Sequence, residues 1–206
     1  MQSCPWCPMM SSFLGRAKLP YERLKRLEKH PSFASGSNWY DDAQRGIRTL
    51  AGAFTQPVNV VAGIVAVLSP RQSVAGNITL ATGVLARDAL VGGFHANVGK
   101  ERAIHDSGDI THVRGPKVEA FYHTLVGDDA LVLDSWAFRA VNLPDSPCES
   151  DRQLAVRWYT RRARACALSL SSYQAGVWCA IRHETGWRNS ALLSVAVSNN
   201  LAKRGL

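Results

Sequence analysis

No apolar run in this 206-residue chain is long enough to cross a bilayer. The longest, Val58 to Leu68, reads as buried core, so no membrane partner is expected. The opening residues, MQSCPWCPMM, lack a basic segment followed by an apolar stretch. No signal peptide is therefore expected, and a reducing, intracellular setting is the default. Cysteine is scarce and odd in number at five, which argues against a disulfide scaffold. Cys4 and Cys7 form C-P-W-C, but no strand precedes them as a redox motif requires, and Cys148, Cys166 and Cys179 supply no second zinc-ligand pair. The pair reads as free thiols on an N-terminal segment. There is no C-terminal four-cysteine run for an iron–sulfur cluster. The six histidines are scattered without metal-ligand spacing, so neither metal nor cofactor is expected. Acid is almost missing from the last quarter. Residues 1–151 carry 15 Lys/Arg against 15 Asp/Glu, while residues 152–206 carry nine Lys/Arg and one acid, Glu184.

What is present is apolar content of 46% against 19% charged residues, enough for a core. Patterning predicts helices throughout and no strand-rich region. A basic amphipathic stretch runs from Tyr21 to Lys29 and is ended by Pro31 and the Ser/Gly run to Ser37. Asn38 is placed to cap a helix from Trp39 to about Ala51, with Asp41 and Asp42 near its positive end and Gly52 as its stop. Pro57 suits the first position of a helix ending at Leu68. Ser73 caps the next, which is expected to reach about Leu90 before Gly92 and Gly93. Shorter helices are expected at Lys100 to His105, from Lys117 to about Leu125, and after Asp134. Two more, from about Asp151 to Leu168 and from Ser171 to His183, complete the expected set. The class is all-α, with a segment at residues 1–37 and one helical domain of two lobes at residues 38–206.

The excess charge of +8 lies wholly in the C-terminal quarter. Phosphate neutralisation by Lys and Arg dominates nucleic-acid affinity, so a polyanion is the natural partner. An acidic protein partner, or a basic tail that only maintains solubility, is the rival. Arg157, Arg161 and Arg164 fall at i, i+4 and i+7 and share one stripe. A solvated helix face would show the same spacing.

Three segments bear on chemistry. Val65 to Ser73 is an apolar helix ending in a polar turn with Arg71 and Gln72. Gly115 to Tyr122 is a glycine turn opening a helix with Lys117 in its first turn. Val132 to Arg139 delivers Asp134 to a helix start, 17 positions after Lys117. In this order they resemble the helix-hairpin-helix DNA glycosylases, the endonuclease III and adenine-glycosylase superfamily, over roughly Val58 to Val141. The resemblance implies a compact orthogonal bundle of helices with a groove between two lobes. It also implies a double-stranded DNA partner, base flipping and N-glycosidic bond chemistry, as in base excision. A bacterial or phage-infected cytoplasm, close to the nucleoid, is the setting it suggests. Two departures stand out. The family hairpin Leu-Pro-Gly-x-Gly is Thr-His-Val-Arg-Gly here, with Val113 in place of the first glycine, and the stretch between the first two segments is shorter.

Carried onto this chain, the resemblance implies Asp134 as the catalytic carboxylate, which would stabilise positive charge on the sugar or activate a water. An ordinary helix N-cap explains the same residue without chemistry. Lys117 is either a nucleophilic amine or a phosphate contact. Arg71 and Gln72 sit where the family inserts a side chain into the gap left by an extruded base; a plain polar turn is the alternative. Gly115, Lys117, Arg139, Arg157, Arg161 and Arg164 are the candidate backbone contacts. Trp136, Trp158, Trp178 and Tyr173 are read as core. Two further functions remain open on the same scaffold: base hypermodification in a bacterial virus, and DNA binding without chemistry.

Overall fold

The computed structural model describes residues 13–88, 99–186 and 192–206, with side chains from Pro20 onward. The helix expected to reach about Leu90 stops at Leu85, with Ala86 as its C-cap and Arg87 at φ of +59°; Gly92, Gly93 and the Cys4/Cys7 pair lie outside the described residues. Among the described residues every regular element is helical. The chain divides into two units. Among the described residues the first comprises residues 13–37 and 133–186, the second residues 38–88, 99–132 and 192–206.

The first unit holds α1 (Phe13–Glu28), α2 (Pro31–Gly36), α8 (Ser135–Ala140), α9 (Glu149–Ala165) and α10 (Leu170–Glu184). Helix α10 is its centre and packs against α1, α2, α8 and α9. That explains its nearly continuous burial from Tyr173 to Val177 and from Cys179 to Arg182. Ser169 starts it by accepting a hydrogen bond from the Ser172 N–H. The Pro31 and Ser/Gly run expected to end the first basic stretch itself forms helix α2. Its N-cap is His30, whose Nδ1 accepts from the Ser32 N–H, and Pro31 fits its first position. Small residues let α2 approach α10 closely: a methyl at Gly176 would stand 2.7 Å from Ser37 Oγ and 2.9 Å from the Phe33 ring.

The second unit holds α3 (Trp39–Ala53), α4 (Val58–Leu68), α5 (Val74–Leu85), α6 (Lys100–Ser107), α7 (Pro116–Val126) and α11 (Leu193–Lys203). Helix α4 is its centre and packs against α3, α5, α6 and α7. Neighbours on every side explain why Val60 to Leu68 are all buried and why their sequence lacks a polar stripe. Pro57 precedes the helix rather than opening it. Ser73 caps α5 through the Gly76 N–H, as expected. Asn38 makes no side-chain cap to α3, and the helix runs through Gly52 to Ala53. Asp42 is instead turned to α11, a helix that the sequence pattern did not predict. Its carboxylate accepts from the backbone N–H and the hydroxyl of Ser194, at the start of that helix.

Candidate functional site

Asp134 is the N-cap of α8. Its backbone is extended, and its Oδ1 accepts a hydrogen bond from the Ala137 N–H at 2.8 Å. The short polar side chain competes well for an orphan amide at a helix start, which is why the helix begins here. The residue is half-buried. Beneath α8, the fully buried Tyr159 on α9 donates its hydroxyl to the Ala137 carbonyl at 3.1 Å. Burial, and then the negative charge of Asp134, push the Tyr159 hydroxyl well above its ordinary range.

Two arginines feel the same carboxylate. Arg182, on α10, is 9% exposed. Its guanidinium lies 4.3 Å from the Trp178 ring centre and 6.0 Å from that of Trp136. Burial lowers its pKa, while Cys179 and then the negative charge of Asp134 act the other way. Arg139 stacks on Trp136 from 4.9 Å and is engaged by Asp145, which accepts from its Nε at 2.8 Å. The three indoles expected in the core, Trp136, Trp158 and Trp178, are half-buried, while Tyr173 is fully buried.

Gly115 and Lys117 belong to the second unit. Helices α6 and α7 both pack on α4, joined by a loop with a short 3-10 turn at Ile110–His112. Gly115 is the N-cap of α7 with φ of +103°, a conformation that requires glycine. Its N–H, which the resemblance would aim at a phosphate, donates to Glu119 Oε1 at 2.8 Å. Lys117 is half-buried in the first turn of α7. Val113 is 8% exposed. Its Cγ2 would lie 3.4 Å from a methyl at Gly63 of α4, so the valine seats the loop between α6 and α7 on the core. Its backbone is extended and needs no glycine. Arg71 and Gln72 are both exposed in the turn between α4 and α5, Arg71 with φ of +61°.

On α9 the stripe of Arg157, Arg161 and Arg164 is exposed and opposite the buried face of Ala155, Tyr159 and Ala163. Arg162, which sequence reasoning passed over, lies on that buried face. Its Nε donates to Glu28 Oε1 at 2.7 Å and its Nη1 to the Tyr21 hydroxyl at 3.0 Å. Tyr173 donates to the same Glu28 oxygen at 2.7 Å. The Glu28 pairing outweighs burial and raises the Arg162 pKa, while burial and then Glu28 raise that of Tyr173. The helical period had the signal: position 162 follows Tyr159 by three and Ala155 by seven residues, so it joins their face.

Among the described residues no group of three or more His, Cys, Asp or Glu side chains is placed to hold a metal ion. The units place Asp134, Arg139 and the α9 arginines in the first, and Arg71, Gln72, Gly115 and Lys117 in the second. No curated protein and no solved structure matches the chain. One family profile does, over residues 29–185, which span both Gly115 and Asp134, and the chain belongs to that family, DUF7178, a family of unknown function.

Proposed function

We propose that this protein binds DNA and acts on an extruded base or its N-glycosidic bond, with Asp134 as the catalytic carboxylate. The observation that carries this reading is the way Asp134 is held. A helix N-terminus fixes Oδ1, and the positive charges of Arg139 and Arg182 act on the carboxylate. A fixed anion is what breakage of a C1′–N bond calls for. The bonding pair leaves with the base and positive charge grows on the sugar. A water then adds at C1′ and loses a proton, while the departing base gains one. Lys117, near the start of α7, contacts a phosphate in this reading.

The test uses DNAs carrying uracil, hydroxymethyluracil, oxidised and alkylated bases, with released base and strand nicking as readouts. Asn caps helices as well as Asp. Asp134→Asn should therefore keep the melting temperature and lose product formation. Product from none of these substrates, or equal product from the variant, rejects the assignment.

A second reading, DNA binding without chemistry, has its own support. The Gly115 N–H is already engaged by Glu119, and the loop between α6 and α7 is pinned by Val113. Tight binding without any product on the whole panel favours it.

A further inference from the structure

We propose that the joint face of α1 and α9, organised around Tyr21, is a phosphodiester-backbone site that takes DNA independently of base chemistry. The proposal rests on the DNA-binding part of the reading above and adds residues and a location to it.

Tyr21 collects cations. Lys25 Nζ lies 4.7 Å from its ring centre, and the guanidiniums of Arg161 and Arg162 lie at 5.4 Å and 5.0 Å. The three are not equivalent. Arg162 is neutralised by Glu28, and its hydrogen bond to the Tyr21 hydroxyl locks the ring in place. Arg161 is exposed, and with Arg157 and Arg164 it has no carboxylate within ion-pair distance among the described residues. Lys25 is 42% exposed and has one loose partner, Glu22 at 3.7 Å, itself 67% exposed. The ring thus holds a half-buried lysine of α1 beside an exposed arginine of α9, and the α9 stripe continues from there.

Like charges gathered at one half-buried ring repel, and an anion spanning them relieves that repulsion. From Arg157 to Arg164 the stripe is about 10 Å long at the α-helical rise. A DNA strand presents a phosphate every ~3.4 Å of axis, so the stripe meets about three. The cations face outward, opposite the buried side of α9, and therefore suit a backbone better than a pocket-bound ligand. A backbone contact of this kind positions the duplex and reads no sequence.

The experiment is fluorescence anisotropy of a labelled, undamaged duplex across a range of salt. The full chain should show a slope of log affinity against log salt of about −3. The exposed-face variant Arg157→Gln/Arg161→Gln/Arg164→Gln, with its melting temperature checked, should weaken binding at least tenfold and flatten the slope by about two or more. Lys25→Gln should remove about one further unit. Unchanged binding by the triple variant overturns this site while leaving the Asp134 reading intact. Loss of binding in that variant, with no base released from any substrate, upholds the site and removes the Asp134 reading. Poly-glutamate competing as well as duplex DNA at equal charge overturns the site in favour of an acidic protein partner. Absence of DNA binding overturns both.

Discussion

Asp42 and Ser194 are 152 residues apart in the chain, yet the Asp42 carboxylate accepts the Ser194 N–H at 3.0 Å and its hydroxyl at 2.5 Å. The carboxylate is only 4% exposed at the residue level and does for α11 what a local N-cap does for other helices. The N-cap position of α11 is Leu192, which has no side chain for the purpose. Helix α3 thus supplies the missing acceptor and fastens the C-terminal helix to the second unit.

Asp42→Ala should lower stability by about 1–2 kcal/mol, the usual cost of a lost cap. Urea unfolding would measure it. Hydrogen exchange should show α11 losing protection first, ahead of α4. Uniform loss of protection across the second unit would contradict the capping role.

The two glycines of α3 should respond in opposite directions. A methyl at Gly46 would stand 2.5 Å from Leu193 Cδ2 and 3.0 Å from the Ser194 nitrogen. Gly46→Ala must push α11 away and should cost about 1–3 kcal/mol. Gly52 has nothing within 4 Å of such a methyl and lies inside the helix, so Gly52→Ala should stabilise by about 0.5–1 kcal/mol. Melting temperatures of the two variants decide the matter.

The Glu28–Arg162 pair is largely buried, with side chains 14% and 10% exposed. Removing one partner strands a charge. Glu28→Gln should therefore cost about 3–5 kcal/mol, and the double variant Glu28→Gln/Arg162→Met should cost less than the sum of its parts. A double-mutant cycle on urea midpoints tests this. Strict additivity would show that the pair does not act as a unit.

Burial pushes the Cys179 thiol from its ordinary 9.0 up to about 11, against the opposing charge of Arg182. A raised folded pKa means that the folded state prefers the neutral thiol. Its contribution is complete below the unfolded value and is lost as pH climbs towards about 11. Tyr159, Tyr173 and Cys166 are shifted upward too, so each adds to the loss of stability at alkaline pH. Urea midpoints across this interval should fall, and the fall should be shallower in Cys179→Ala.

The candidate site was legible where its cause is local. Asp134 as a cap, Ser73 as a cap and Gly115 at a helix start follow from side chains bonding to neighbouring amides, or from a backbone that only glycine tolerates. The outward arginine stripe of α9 followed from helical spacing alone. The engagement of Gly115 by Glu119 was also local, but expecting a phosphate there hid it. Arg182 and Glu28 were not legible, because their partners lie on other helices.

By itself, the sequence determined the all-helical class, most helix starts and the basic bias of the last quarter, since propensity, capping and charge act over a few residues or by simple count. Only the tertiary structure decided that residues 13–37 join residues 133–186 in one unit, while α11 returns to the other. It alone also turned Asp42 to a helix 152 residues away and chose Arg162, among neighbouring arginines, for burial against Glu28. Those choices rest on which apolar faces meet and which charges must be neutralised once water is excluded, and no local window of sequence contains both partners.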